Sequence, residues 1–301
     1  MFRQAVNQCR VAVAIEPQGP VLIKSGAASV TGPDDAFVTT KYGAGPTGQP
    51  QVFMPGSSLK GVFRSHAERI ARTLNPALAC DPFSQTSCGR RLQSDAPPQA
   101  YRDSCPICRL FGSSAMRGRL AIRDAYLRPG TPAPTPETRD GVGIDRVTGG
   151  SSRGAKFDFQ VITSGIFDTE IVVDNFETWQ LGLLAYLLRD LADGIVQIGS
   201  GKSRGLGWVT GRVTSLEIHY FGTPAGWSPP ELQKLWGIGA FAQGAERYGL
   251  DSDDWVELSS PLTMERRGIR WVGRIADAEG LYRFWDSLGP AWDGYVARKS
   301  A

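Results

Sequence analysis

Cys80, Cys88, Cys105 and Cys108 follow one another at the spacing C-x7-C-x16-C-x2-C. A Cys-x-x-Cys pair presents two thiolates from one tight turn, and a second pair from a neighbouring loop completes a tetrahedral four-thiolate site of the kind zinc occupies. Between Cys88 and Cys105 lie Pro97, Pro98 and mostly polar residues. That segment has little apolar material to fold on, and a metal staple would supply what its core does not. Four thiolates leave no position for water, so the zinc expected here is structural. The spacing alone leaves open a set of unconnected thiols, or a redox pair at Cys105 and Cys108. Cys9 sits in an alternating apolar pattern and is expected to be packed.

A second stretch with chemistry is Gly199-Ser200-Gly201-Lys202-Ser203-Arg204-Gly205-Leu206-Gly207. Its Gly-Lys-Ser ends like a nucleotide-binding P-loop, but Val196 stands where the strict pattern needs glycine, and the run leads into strand-like residues instead of a helix. What survives is physical: glycines let backbone amides approach phosphate oxygens, while Lys202 and Arg204 add positive charge. A solvated hairpin turn has the same composition. The third stretch, Met54-Pro55-Gly56-Ser57-Ser58-Leu59-Lys60-Gly61, reads as a helix start with serine at the N-cap. Amides at a helix N-terminus attract anions, and Lys60 and Arg64, one turn apart, would reinforce that. A capped surface helix with an ion pair to Glu68 would look alike. The two histidines, His66 and His219, fall within a helix and a strand, where a packed structural role is the expectation.

These residues need elements to hold them. Residues 8–15 alternate as a strand, and 21–23 form a shorter one. A loop rich in Gly, Pro, Thr and Asp covers 25–55, long enough to be functional. An amphipathic helix runs to Leu74, with Leu59, Val62, Phe63, Ile70 and Leu74 near one apolar stripe and Lys60, Arg64, Glu68 and Arg72 on another face. Strands are expected at 119–127, 156–162 and 167–173, an apolar helix at 179–191, and a strand pair over 207–220. Residues 128–155, with Pro129, Pro132, Pro134 and Pro136, form an excursion without a core pattern. The order β-α-β-β-α-β predicts an α+β, ferredoxin-like (RRM-like) core over 1–220. Residues 75–118 would be a zinc-binding insertion and 128–158 a second insertion. Residues 221–301 hold six of the eight tryptophans (Trp227, Trp236, Trp255, Trp271, Trp285, Trp292), and are expected to form a C-terminal extension of short helical stretches packed on the core or on a neighbouring subunit.

The chain has 301 residues, enough for one large core with an appendage, and a net charge of only +3. That balance neither demands nor excludes nucleic acid, so the distribution of charge has to decide. No apolar run approaches the roughly 18 residues that span a bilayer. The N-terminus lacks a secretory layout, which predicts the reducing cytoplasm and argues against structural disulfides.

Taken in order, Met54 to Gly61 with Arg64, Leu110-Phe111-Gly112 before a strand ending in Asp124, and the loop from Gly199 to Gly207 resemble the RAMP superfamily. In particular they resemble the backbone subunits of type III CRISPR effector complexes. The resemblance covers most of residues 1–220 and leaves the C-terminal 80 outside it. It implies a protein that polymerises along guide RNA, with Ser57, Ser58, Lys60 and Arg64 of the first helix and Gly199, Gly201, Lys202, Ser203, Arg204 and Gly205 of the loop against the RNA backbone. The excursion at 128–155 resembles the β-hairpin thumb that intrudes between nucleotides, which places Asp145 and Arg146 near RNA. A four-cysteine zinc insertion after the first helix is also known in relatives. Cutting relatives cleave target RNA in a metal-dependent way, with magnesium or manganese, through an aspartate in the loop after the first strands. Asp34 and Asp35 occupy the matching loop, where a Pro-Asp-Asp turn is also ordinary surface chemistry. Guide RNA, target RNA and other RAMP subunits are the implied partners. A non-catalytic RNA-binding subunit of the same complex stays open, as does a stand-alone phosphate-loop or thiol enzyme.

Overall fold

The computed structural model describes residues 4–26, 32–42, 48–221, 230–241 and 244–300, the last without its side chain. Of the long 25–55 loop, residues 27–31 and 43–47 lie outside the described residues, as does Trp227.

The first strand, β1 (Asn7–Pro17), alternates between the two faces of a sheet, with Cys9, Val11, Val13 and Ile15 buried on one side. Helix α1 (Gly56–Leu74) lays Leu59, Phe63, Ala67 and Ala71 into the same core. After it come the cysteine segment and the short strand β2 (Leu120–Ile122). Next is a two-stranded hairpin, β3 (Glu137–Ile144) and β4 (Ser151–Val161), paired antiparallel with an irregularity between Val142 and Ile144. Strand β5 (Phe167–Asp174) leads to α2 (Thr178–Ala192), and β6 (Val209–Phe221) follows the glycine-rich loop.

Strand β1 pairs with β5 on one side and β6 on the other, and β5 pairs with β2, all antiparallel. Register places Cys9 between Val173 and Ile218, and Val11 between Ile171 and Leu216. A pleat puts alternate residues on one face, so this register lines up the buried set across three strands. The structure is thus a mixed α/β protein built on one large antiparallel sheet.

The strand pair expected over 207–220 is the single strand β6, and the strand expected over 119–127 is two short ones, Leu120–Ile122 and Tyr126–Leu127. Residues 156–162 do not join the large sheet; 156–161 belong to one arm of the hairpin, and single bridges tie Phe159 to Asp35 and Ile162 to Val21. Beyond 220 the chain is not a set of short helices. Three strands, β7 (Glu231–Trp236), β8 (Trp255–Arg267) and β9 (Arg270–Ile275), extend the sheet in the order β7-β8-β9-β6-β1-β5-β2. The physical reason is a period of two in β8, where Leu258, Leu262 and Met264 are buried and the intervening residues are not. A 23-residue helix, α3 (Ala278–Ser300), closes the chain against α2. Gly182 of α2 permits that approach: a Cβ there would lie 2.6 Å from the Leu288 carbonyl oxygen. Trp179, Trp292 and Tyr295 stack where the helices cross, with ring centroids 4.4 to 6.0 Å apart. Helix α2, apolar on nearly all sides, is therefore covered by the sheet on one side and α3 on the other. No helix among the described residues is long and apolar enough to cross a membrane.

Candidate nucleic-acid interface and thiolate centre

Helix α1 starts at Gly56 with Pro55 as its N-cap, two residues earlier than a cap at Ser57, and proline has no side-chain acceptor to cap with. The cap comes from elsewhere: the Gly56 amide donates to Asp124 Oδ1 at 2.7 Å, and Tyr126 donates its hydroxyl to Asp124 Oδ2 at 3.1 Å. Ser57 and Ser58 therefore sit in the first turn instead of closing it, Ser57 exposed and Ser58 half-buried. A carboxylate already meets the positive end of this helix, which weakens the expected anion site there.

Cations remain along the helix. The ammonium of Lys60 is held below the usual lysine range, first by burial and then by the charges of Arg64 and Arg117. Lys202, in the glycine-rich loop, is shifted down in the same way, first by burial and then by Arg69. The charge of Arg69 on α1 is thus felt by Lys202 in the loop. Cations that depress one another's pKa form a patch that a phosphate would relieve. Arg69 was missed from the sequence. It belongs to the exposed stripe Ser57, Gly61, Ser65, Arg69, spaced by four, one column away from the charged face that attracted attention.

The loop itself is a 3-10 turn, Lys202–Arg204, between Gly201 and Gly205, both left-handed, with all three side chains exposed. Gly199 serves packing: a Cβ there would lie 2.1 Å from the Leu22 carbonyl oxygen, which instead accepts the Ser200 amide at 2.8 Å. The Arg204 guanidinium lies 5.5 Å from the ring centre of Phe157, in the base of the hairpin.

That hairpin base also holds the acidic loop. Asp34 donates its amide to Asp158 Oδ1 at 2.7 Å, and the Asp158 amide donates to Asp34 Oδ2 at 3.1 Å. Asp35 forms a bridge to Phe159, and its carboxylate is 2.7 Å from Lys24 Nζ. The two adjacent acids thus differ: Asp34 is exposed beside a second carboxylate, while Asp35 is half-buried and neutralised by a lysine. Asp158 could not be picked out from its sequence neighbours, since its partner is 124 positions away.

At the far end of the hairpin, Asp145 organises the turn. Its Oδ1 accepts the amides of Thr148 (2.8 Å) and Val147 (3.0 Å) and the Thr148 hydroxyl (3.0 Å). These bonds, the Thr148 amide foremost, hold its carboxyl below the usual range. Asp145 is a turn former whose charge is spent locally. Arg146 beside it is exposed, and Val147 is 94% exposed at the tip.

The four cysteines come together from separate elements. Cys80 follows α1, Cys88 opens a short helix (Cys88–Arg91), and Cys105 and Cys108 flank the start of another (Pro106–Phe111). Their sulfur atoms all lie within 4.8 Å of one another, with Cys80 and Cys108 at 3.6 Å. A tetrahedral ion with sulfur at about 2.3 Å requires sulfur separations of about 3.8 Å. All four are free thiols, so no disulfide accounts for the cluster. The cluster can hold a metal ion such as zinc, and an all-sulfur donor set suits a closed structural site. The buried cluster around the thiols is Cys88, Leu92, Ala100 and Cys108, so the sulfur atoms are a large part of that local core.

Arg64 does not stand with the other cations. Its guanidinium donates to Glu68 (3.0 Å), to the Gly112 carbonyl (2.8 Å) and to Cys108 Sγ (3.5 Å). One of these donors meets Glu68 on the same helix and two point into the cysteine segment, so the guanidinium expected to contact RNA is engaged by protein groups. The histidines are also accounted for. His66 is buried 2.5 Å from Asp190, and His219 is buried 3.0 Å from Glu217.

On the sheet face away from α1 and α2, β6 brings His219 and Phe221 together with ring centroids 6.1 Å apart. Strand β1 contains no aromatic residue, and the one in β5, Phe167, is fully buried. That face also carries paired charges, with Arg10 2.7 Å and Arg123 2.9 Å from Glu170. The exposed cations Arg69, Lys202 and Arg204 lie elsewhere, on α1 and the glycine-rich loop.

Comparison with known proteins gives one family. The model of the RAMP superfamily matches residues 37–210, more than half of the chain. No curated protein matches.

Proposed function

Because the chain belongs to the RAMP superfamily, a family that points to a CRISPR-associated RNA-binding subunit, we propose that it binds guide RNA as a backbone subunit of a type III effector complex. We further propose that it cuts bound target RNA. One observation carries the reading. The charge of Arg69 on α1 acts on Lys202 of the glycine-rich loop, Arg204 of that loop lies against Phe157 of the hairpin base, and the next residue, Asp158, is joined to Asp34 by two hydrogen bonds. A strand of RNA gripped by the cations would pass the exposed carboxylate.

In this reading β1, α1, β2, β5, α2 and β6 are a ferredoxin-like core whose strands lie in the order fourth, first, third, second. The cysteine segment is its zinc insertion, and β3 with β4 is the thumb. Val147, exposed at the tip, is the residue to wedge between bases. Residues 221–301 are an extension that continues the same sheet.

Asp34 is the residue for target cutting, and Asp35 is not, because Lys24 already neutralises Asp35. Hard oxygen donors suit magnesium or manganese, so Asp34 with Asp158 beside it would hold such an ion, which supplies Lewis acidity at the phosphate. The chain's own part is to fix the Asp34 carboxylate through the Asp158 amide and to hold the RNA backbone on Lys202 and Arg204. The place of action is the cytoplasm, with guide RNA, target RNA and sister RAMP subunits as partners.

The test is to purify the protein from cells that carry the guide locus. The expected result is co-purifying RNA of uniform length and, on adding complementary RNA with magnesium, cuts that the Asp34→Asn variant lacks. Protein free of RNA and unable to bind it would overturn the proposal.

A further inference from the structure

The thiolate centre is fastened to α1 by three charged side chains, each one helical turn from the next. Glu68 stands in the middle, with Oε1 3.0 Å from Arg64 Nε and Oε2 3.3 Å from Arg72 Nη1. Each arginine then reaches a different part of the cysteine cluster. Arg64 Nη2 donates to Cys108 Sγ at 3.5 Å, and Arg72 Nη2 donates to the Cys80 carbonyl at 2.8 Å. Cys80 and Cys108 are the pair whose sulfur atoms lie 3.6 Å apart. The same arginines thus hold, from one rigid helix, two ligands that are 28 positions apart in the chain.

From this arrangement we infer that Arg64 is a positioning residue of the metal–thiolate centre, framed by Glu68 and Arg72, and that metal retention depends on α1 as well as on the cysteines. A divalent ion with four thiolates carries a net charge of about −2. A guanidinium N–H aimed at one sulfur offsets part of that charge, and the fork geometry lets the same group tie down the Gly112 carbonyl. Loss of such a partner weakens metal affinity by about 10- to 100-fold. The inference rests on the metal reading of the cysteines and not on RNA binding.

The experiment uses the full chain, purified with zinc and without RNA, and measures zinc transfer to a chromophoric chelator at equilibrium. A second measurement records the absorption spectrum of the cobalt(II)-substituted protein, whose thiolate-to-metal bands report the sulfur environment. Arg64→Gln is expected to lose zinc to about 10- to 100-fold less chelator than wild type. Arg64→Lys, which keeps the charge but not the fork, should retain metal better than Arg64→Gln and should still shift the cobalt bands. Arg69→Gln, on the exposed stripe of the same helix, should match wild type in both. Equal retention by Arg64→Gln and wild type, or an unshifted cobalt spectrum in folded Arg64→Lys, would overturn the inference. A wild-type chain that binds neither zinc nor cobalt would overturn the metal reading on which it stands, whatever the protein's RNA binding.

Discussion

If the cations around α1 and the glycine-rich loop meet phosphate, their contribution is measurable as a salt dependence. Each phosphate neutralised on a single strand adds about 0.7 to the slope of log affinity against log salt. Lys202 and Arg204 are both exposed on one turn, so replacing both with alanine should lower the slope by about 1.4. Over a fourfold rise in salt, the variant should then lose about sevenfold less affinity than wild type does. Arg69→Ala should lower the slope by about 0.7 more. Arg64→Gln is the internal control: its guanidinium faces Glu68, Gly112 and Cys108, so the slope should not change. The assay is equilibrium binding of a labelled RNA at four or more salt concentrations, on metal-loaded protein with a checked melting curve. An unchanged slope in the Lys202/Arg204 double variant, or a loss of 0.7 or more in Arg64→Gln, would refute the assignment of the contact surface to the loop and the exposed stripe of α1.

Other consequences follow from single contacts. Asp34→Asn should reduce target cutting by on the order of 10²- to 10⁴-fold with RNA binding intact, whereas Asp35→Asn should retain most activity; product gels of the assembled complex decide between them. Asp124→Ala removes the carboxylate that accepts the Gly56 amide and should cost about 1 kcal/mol by thermal or denaturant melting, with RNA affinity maintained or increased. Asp254 is buried and its carboxyl is raised from 3.8 to about 7, first by desolvation and then by the charge of Glu177, against hydrogen bonds from Thr178 and Gly239. A raised acid is protonated more readily folded than unfolded, so stability should fall as pH rises from about 4 to about 7 and level off above. The upper bound is roughly 4 kcal/mol. Denaturant melts of wild type and Asp254→Asn across that range should show the slope reduced in the variant.

What could be read from the sequence divides by the distance over which the cause acts. Helix α1 and strand β1 were placed to within a residue or two at the ends because their signals, a stripe at a period near 3.6 and an alternation of two, lie inside the element. The cysteine cluster was legible for a similar reason: four residues of one rare type in 29 positions restrict what can be built there. The C-terminal strands were equally local, but six tryptophans drew attention from the plainer alternation of Leu258, Leu262 and Met264. The failures of the site reading have another origin. Serine at a helix start is a sound cap signal, yet the cap came from Asp124, 68 positions away. Arg64 looked like half of a phosphate clamp because its helix is amphipathic, yet its partners are 44 and 48 positions on. A sequence motif states which charges are available, while the fold decides which are already spent. Among the cations and acids singled out here, those spent on protein partners are Arg64, Asp35 and Asp145. Lys202, Arg204 and Asp34 are exposed, although Asp34 also accepts the Asp158 amide and Arg204 lies over Phe157, and they are the ones with which function can be tested.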